Sequence, residues 1–403
     1  MTGACTIVSP NYLPFARTLA QSYLRHHPDH LFFVLVVADL HDKVVFDAEP
    51  FTAILMDEIS LPNIRCLAMK YDLLELNTNV KPTFMKYLLA HHELEALVYL
   101  DPDIYVYRPL VLVFEMLRSA NVVLIPHLTT PLPQDRFSPS ERDLLYNGTY
   151  NLGFIAVAQS SETSRMLDWW EDRCLRQGFS EGRSGLFVDQ KWINLVPGLF
   201  EGIGICRDLG CNMAYWNLHE RSLFQNMGNY WVNNSTPLCF FHFSGVEVDD
   251  PAMLSKNTDR FTLEDRPDLT ALFSRYKAEI IRNRVPSRDG IPYGFDAYSN
   301  GSAVTRLQRR IFAAHELNFG YEDPFDSKSR FYHFASRHGL LVGKRKPPKA
   351  TWREFSPNDR RVRFVNRLLL ITLKLLGSAR YELLMRYLSF ISILRNQAVF
   401  IRD

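Results

Sequence analysis

Two carboxylates one residue apart close a run of apolar residues in VYLDPDIYVY (Val98 to Tyr107). They are Asp101 and Asp103, separated by Pro102. The preceding ALVYL has the continuous apolar character of a strand buried on both faces. In open α/β sheets, ligands bind beyond the carboxyl ends of strands, which is where this pair falls. Pro102 fixes φ at about −65° and donates no N–H, so it stiffens the turn. Carboxylates at i and i+2 can share one divalent cation, and oxygen ligands with several waters suit Mg²⁺ or Mn²⁺. Such a cation neutralises a diphosphate and stabilises it as a leaving group. Asp-x-Asp alone is common, and the plainer reading is a loop with two solvated aspartates.

Other residues along the chain carry compatible chemistry, each with a blander alternative. His242 ends the strand-like LCFFHFSG. Its imidazole beside the two carboxylates completes a metal site that favours Mn²⁺ over Mg²⁺; otherwise it is a hydrogen-bonded core histidine. Gly245 lets the backbone approach a phosphate closely, or makes a plain turn. Asn151, with Gly153, lies in the strand YNLGFIAV, where a buried amide needs a partner such as a sugar hydroxyl or a backbone group. Asn11 and Tyr12 follow the first strand and can hold a nucleobase, Tyr12 stacking on uracil, or form a capping turn. Asp39 ends the second strand and can accept from a ribose or base N–H, or cap a helix. Asp189 and Gln190 precede the helix KWINLVPGLF, where an N-cap is the simple role for the aspartate. Trp216 and Asn217 in NMAYWNLHER (Asn212 to Arg221), with His219 and Arg221, suit a carbohydrate platform for an acceptor, against a core Trp with surface polars. PYGFDAYSNG (Pro292 to Gly301) can fold back over the acceptor side.

Four stretches in order, YLDPDIYVY, YNLGFIAV, FVDQKWIN and FFHFSG, resemble the motifs of nucleotide-sugar glycosyltransferases of the GT-A fold, closest to the family 8 type. The resemblance covers roughly residues 3 to 250. It implies a sheet of the Rossmann-like, mostly parallel kind and a nucleoside diphosphate sugar donor, UDP by default. It implies a metal held by Asp101, Asp103 and His242, and a donor sugar contacted by Asn151 and Gly153. Asp189 and Gln190 are implied beneath the anomeric carbon or the sugar hydroxyls. On the helix NTNVKPTFMKYLL the family type places a basic residue facing the diphosphate or the aspartates, and Lys81 and Lys86 are the candidates. One is expected to pair with phosphate or Asp103, the other to be a solvated face charge. The resemblance also implies retention of configuration, by front-face attack or through a covalent intermediate on Asp189. An inverting route would draw a base from Glu141 or Asp143. The late motif reads HFSGVEVDD without the family's Lys-Pro-Trp continuation, which puts its phosphate contacts in doubt.

The elements that would carry these residues alternate. Ala4 to Pro10, Leu31 to Leu40, the ALVYL run, Asn121 to Leu128 and Tyr150 to Ala158 read as strands. FARTLAQSYLRHHP, KPTFMKYLLAHH and SSETSRMLDWWEDRCL read as helices, the last capped by Ser160 or Ser161. Alternation predicts an α/β layered fold, a mixed and mostly parallel sheet flanked by helices. After about Asp250 helices dominate. The expected domains are a catalytic domain over 1–250, a helical acceptor-side region over 251–343 and a basic amphipathic helical tail over 344–403.

The tail holds 14 Lys and Arg against 4 Asp and Glu, a charge of +10, leaving −8 for the rest of a chain whose net charge is +2. Two amphipathic stretches broken at Gly377–Ser378 read either as helices packed on the body or as reversible contact with anionic lipid, where a lipid-linked acceptor would be met. KRKPPKATWREFSPNDRR looks like a linker. No nucleic-acid reading motif accompanies the charge. Six cysteines without C-x-x-C spacing read as reduced thiols in a cytoplasmic protein, peripheral at the inner membrane face if the tail docks. Neither a signal peptide nor a spanning helix is expected. Partners are then a nucleotide sugar and a glycan, lipid-linked or protein acceptor. Two rivals remain: a haloacid dehalogenase-like phosphohydrolase, which also uses Asp-x-Asp at a strand end, and a non-catalytic carbohydrate-binding protein that has kept the fold. Against the first, Tyr105 stands where a Thr or Val normally follows, and about a hundred residues precede the motif.

Overall fold

The computed structural model describes residues 1–40, 46–320, 322–343 and 359–402. Most of the Pro- and Lys-rich stretch read as a linker, 344–358, lies outside them. The described residues group into two compact units, one of Met1–Ile64 with Leu73–Gly294, the other of Arg65–Asp72 with Phe295–Asp403. The boundary falls at Gly294, where the sequence reading puts its boundaries at 250 and 343.

In the first unit, strands β1 (Thr2–Val8), β2 (Leu31–Val36), β3 (Thr52–Leu55), β4 (Ala96–Leu100), β5 (Ile104–Val106), β6 (Val122–Pro126), β7 (Tyr150–Ala158), β8 (Ile203–Ile205) and β9 (Phe240–His242) position the site. Seven of them form the central sheet in the order β8-β6-β7-β4-β1-β2-β3. All its pairings are parallel except those of β7, which runs antiparallel to both β4 and β6. The fold is therefore mixed α/β with a mostly parallel sheet flanked by helices. Leu97 to Leu100 are all buried, as a strand covered on both faces requires.

Two pairings decide where the aspartates go. The β4–β7 register sets Leu100 opposite Phe154, and the Asp101 N–H donates to the Gly153 carbonyl at 2.7 Å. Beyond the turn, β5 pairs antiparallel with β9, with Ile104 opposite His242, and the Phe243 N–H donates to the Asp103 carbonyl at 2.8 Å. Backbone ladders from strands about 50 and 140 residues downstream thus meet at one strand end.

Helix α1 (Leu13–His26) buries Leu13, Ala16, Leu19, Ala20 and Tyr23, the spacing of one helical face. The same helix carries a buried Arg17. Its guanidinium donates to Glu49 at 2.7 and 2.9 Å and to Asp289 at 2.7 Å, while Arg288 reaches Glu49 at 2.7 Å. Burial opposes the Glu49 anion, but Arg17 and Arg288 outweigh it and hold its carboxyl below the ordinary value. A carboxylate with a depressed folded pKa stabilises above its unfolded pKa and loses that contribution as pH falls through the folded one. Wild type is therefore expected to melt higher than Glu49→Gln at neutral pH, and the gap to close as pH is lowered below about 4, seen in melting curves taken across pH. A gap that is constant with pH would contradict the linkage.

Helices α2 (Lys81–His91) and α3 (Ser161–Gln177) flank the sheet, and Ser160 caps α3 by accepting from the Thr163 N–H at 3.0 Å. Helix α4 (Pro267–Arg282) closes the first unit, burying Leu269, Leu272, Phe273, Tyr276 and Ile280 against Phe241 and Phe243.

The second unit is helical: α5 (Arg306–Phe319), α6 (Arg330–Arg337) and α7 (Arg360–Ile391). Phe331 packs edge-on to Phe312 and Phe319, and Phe319 to Phe334, at centroid distances of 5.0–5.4 Å. The buried Arg309 donates to the carbonyls of Ala68, Tyr71 and Phe295. In α7 the backbone breaks at Gly377, where φ is +73°. That is a conformation glycine adopts without steric cost, at the point where the apolar periodicity predicts the interruption.

Candidate functional site

At the end of β4, Asp101 and Asp103 face the ring of His242. His242 Nε2 lies 2.9 Å from Asp103 Oδ1 and 3.9 Å from Asp101 Oδ2. One ligand atom from each of the three lies within 4.8 Å of the others. The imidazole is buried, while the carboxylates keep 31% and 20% of their side-chain surface open, which gives a cation a route in.

A chain of hydrogen bonds fixes how the imidazole is presented. His127 Nδ1 donates to the Thr149 carbonyl at 3.0 Å, leaving Nε2 as an acceptor for Asn151 Nδ2 at 3.4 Å. Burial pushes the His127 pKa down to about 4, so the ring stays neutral and keeps that lone pair. Asn151 Oδ1 then accepts from His242 Nδ1 at 3.1 Å, and His242 Nε2 is directed at the carboxylates. This is the outer-shell arrangement that orients a ligating histidine. Trp216 packs edge-on against both histidine rings, at 5.1 Å from His242 and 5.2 Å from His127.

The three groups perturb one another electrostatically. Burial raises the pKa of Asp101 despite the nearby charges of Lys81 and His242, and Asp103 raises it further. The Tyr99 hydroxyl donates to Asp101 Oδ1 at 2.8 Å, which supports the anion. On His242, burial opposes protonation, but Asp103 and Asp101 outweigh it and raise its pKa. Two carboxylates and an imidazole whose outer nitrogen is already engaged fit a six-coordinate Mn²⁺ or Mg²⁺ that keeps several waters.

Below the carboxylates, Lys81 and Asp189 form a buried pair. Lys81 Nζ lies 2.6 Å from Asp189 Oδ2, donates to the Leu152 carbonyl at 2.7 Å and stands 4.1 Å from the centroid of the Tyr99 ring. Both side chains are 2% exposed. The Asp189 carbonyl accepts from Trp170 Nε1 at 3.0 Å. Lys81 thus partners Asp189, where the sequence reading offers phosphate or Asp103. No side-chain cap is made by Asp189.

Gly153 fits the site sterically. A Cβ there would lie 2.3 Å from His242 Cε1 and 2.8 Å from Nδ1. Gly153→Ala is expected to push the imidazole off the carboxylates and weaken Mn²⁺ binding about 10- to 100-fold, the scale of outer-shell defects. Titration calorimetry with MnCl₂ checks this, and unchanged affinity would sink it. Gly245, at φ +74°, has Ser255 Oγ and Asn257 Nδ2 where a Cβ would go, at 2.7 and 2.6 Å.

Several candidates are placed elsewhere or already engaged. Lys86 pairs with Asp168 and Glu171 on α3, at 2.7 and 2.5 Å, which corrects its reading as a donor contact: on α2 it points to the neighbouring helix. Trp216 is buried, and Asn217 is buried with its amide spent on Ala214 N–H and the His127 and Asn212 carbonyls. The open acceptor platform read there is corrected to a wall supporting the histidines. Gln190 accepts from Leu152 N–H and donates to the Asn147 carbonyl. The Asn11 side chain accepts from the Ser9 hydroxyl. Tyr12 is 39% exposed, stacked on Phe15, and its hydroxyl pKa is raised by burial and by the field of Asp103. Asp39 backs onto Gly294 and bonds the Tyr293 carbonyl through its N–H. Asp143 makes a capping box with Ser140, and Glu141 accepts from Leu132 N–H.

His127 was not singled out by the sequence, although it ends the strand NVVLIPHL as the aspartates end ALVYL. The amide of Asn212, fully buried at φ +59°, has no partner at either atom among the described residues.

No protein-family model matches the chain. It is similar to "Uncharacterized protein YfnF" of Bacillus subtilis (strain 168), at 27% identity over 289 residues, 70% of this chain and 94% of that protein. It is also similar to "Uncharacterized protein YfnD" of the same organism, at 22% identity over 60% of this chain and 77% of that protein. Among solved structures, the galactosyltransferase LgtC in complex with donor and acceptor sugar analogues matches with a TM-score of 0.40 at 12% identity, covering 69% of this chain and 95% of that one. At these levels of likeness, function has to be read from the side chains themselves.

Proposed function

We propose that the chain is a metal-dependent glycosyltransferase of the GT-A type. It moves a sugar from a nucleoside diphosphate sugar, with UDP as the nucleotide, to a hydroxyl of a glycan, lipid-linked or protein acceptor. The observation that carries this reading is the convergence of Asp101, Asp103 and the oriented His242 on one point at the open end of β4. Those three residues would hold Mn²⁺ or Mg²⁺, which supplies positive charge to the departing diphosphate.

The chain's own residues do the rest. Asn151 sets the His242 tautomer, and Tyr99 supports the Asp101 anion. Tyr12, 39% exposed and stacked on Phe15, would offer its open face to the base. Asp189, held by Lys81, gives a rigid acceptor for a donor-sugar hydroxyl. The same ion pair speaks against Asp189 as a covalent nucleophile, because attack would need a buried, paired carboxylate to leave its lysine. We take front-face transfer with retention as the route, in keeping with that pair. The acceptor oxygen bonds to C1, the C1–phosphate bond breaks on the same face, and the acceptor proton passes to the leaving phosphate oxygen.

The test is a panel of nucleotide sugars with Mn²⁺ present. The expected result is release of the nucleoside diphosphate that EDTA stops. Release of phosphate from a simple ester, independent of any sugar donor, would favour the phosphohydrolase. No melting shift with UDP or GDP plus Mn²⁺ would favour a binding protein.

A membrane surface is the second partner. None of the 32 residues of α7 is buried, and Phe364, Leu368, Ile371, Leu375 and Leu383 are exposed. The helix carries seven Arg and Lys against one Glu. No helix among the described residues is long and apolar enough to cross a membrane. An amphipathic cationic helix matches an anionic lipid interface, at about 1 kcal/mol per basic residue. The full chain is expected to sediment with phosphatidylserine-containing vesicles and to be released by salt. A chain ending at Gly343 is expected not to sediment, and equal binding by the two would contradict the assignment.

A further inference from the structure

A second group of metal-ligating side chains lies in the first unit, apart from the carboxylate pair. One ligand atom each from Asp208, Cys211 and Cys239 lies within 4.8 Å of the others. Cys206 is a third thiol of the same loop, five residues before Cys211. Cys206 and Cys211 are buried, and Cys239 is half-buried. Two thiols and a carboxylate thus converge, drawn from the loop after β8 and from the residue before β9. That donor set is soft, unlike the oxygen-dominated set at Asp101 and Asp103.

The surroundings fit an anion-rich centre. Arg221, its side chain 1% exposed, donates to the carbonyls of Leu209 and Cys211 at 3.0 and 2.8 Å. It sets a buried guanidinium, paired with Glu220 at 3.5 Å, against the loop that would carry thiolates. Gly210 lets the loop close: a Cβ there would collide with the Pro237 carbonyl at 2.0 Å. The Cys239 N–H donates to the Gly210 carbonyl at 2.7 Å.

We propose that Cys211, Cys239 and Asp208 form a zinc site, its fourth position open to water or to the Cys206 thiol of the same loop. Tetrahedral zinc with Zn–S of about 2.3 Å puts its ligand atoms about 3.8 Å apart, so a small contraction of this cluster seats the ion. The site staples the 206–213 loop to the strand bearing His242. Cys239 lies three residues before His242, and Cys211 two before Met213, whose carbonyl accepts from the His242 N–H at 2.8 Å. Zinc would therefore hold the strand that presents the imidazole, a role independent of the transfer reaction.

The full chain, purified under reducing conditions after growth with zinc, is expected to contain about one zinc per molecule. Exchange with Co²⁺ is expected to give a thiolate-to-cobalt charge-transfer band in the near ultraviolet. Cys211→Ser and Cys239→Ser should each abolish or shift that band. The Asp101→Asn/Asp103→Asn variant and Cys66→Ser should keep it, which separates this site from the carboxylate pair. Absence of zinc and of the band in the wild-type chain, with all six cysteines titrating as free thiols, would overturn the proposal. So would a Cys211–Cys239 disulfide found by mass spectrometry with no metal bound. Because the wild-type band decides the matter, a misfolded cysteine variant leaves the test intact.

Discussion

Replacing Lys81 with Met is expected to destabilise the first unit by about 3–5 kcal/mol, because it strands Asp189 as an uncompensated buried charge. The Lys81 ammonium makes a 2.6 Å contact with Asp189, donates to the Leu152 carbonyl and faces the Tyr99 ring, so its three donor directions are used. Met fills similar volume, so the loss reads electrostatics and hydrogen bonding more than a cavity. The double variant Lys81→Met/Asp189→Leu is expected to recover most of the loss, since removing both charges is often neutral. Urea denaturation of the wild type, the two single variants and the double variant measures the coupling. A Lys81→Met chain within about 1 kcal/mol of wild type would show that the pair is not closed in solution. Recovery of stability without activity in the double variant would separate the pair's structural contribution from the donor-sugar contact proposed for Asp189.

Asp103→Asn carries the second large effect, on turnover. Asn preserves shape but removes the charge beside His242 Nε2 and one of the anionic oxygens proposed to hold the cation. Metal-dependent release of nucleoside diphosphate is expected to fall by about 10²- to 10³-fold, the scale of losing one electrostatic stabiliser. The melting temperature is expected to change little, because losing Asp103 relieves Asp101 but also removes the charge that favours the buried His242 imidazolium. Falling activity with preserved stability marks a functional charge, whereas a parallel fall in both would mark a structural one. Lys86→Ala is the internal control: its partners are Asp168 and Glu171, and turnover is expected to be unchanged.

The fold was largely legible because its cues are local. Continuous apolar runs such as LFFVLV and ALVYL announce strands covered on both faces, and the apolar spacing of LPFARTLAQSYLRH announces a helix with one buried face. Nothing local announces that β7 runs against its neighbours, because a strand's own residues do not encode the direction of the strand beside it. Lys81 and Lys86 show the same limit within one helix. Five residues apart, they point to different partners, and only the packing of α3 beside α2 makes Lys86 a helix–helix bridge.

Residue types and order in the chain were enough to nominate two carboxylates at a strand end, a late histidine, and an asparagine and glycine in a buried strand. They could also place the tail's break at Gly377, since a helix interruption is a local property. Tertiary structure alone decided that His127 orients Asn151 and through it His242, and that Lys81 spends its charge on Asp189. It decided that Trp216 is a wall and not a platform, and that Asp208, Cys211 and Cys239 meet. Each of these depends on groups tens to more than a hundred residues apart being brought within about 3–4 Å, the range over which a hydrogen bond or buried ion pair acts. Sequence spacing carries no record of that distance, because it is set by strand register and layer packing.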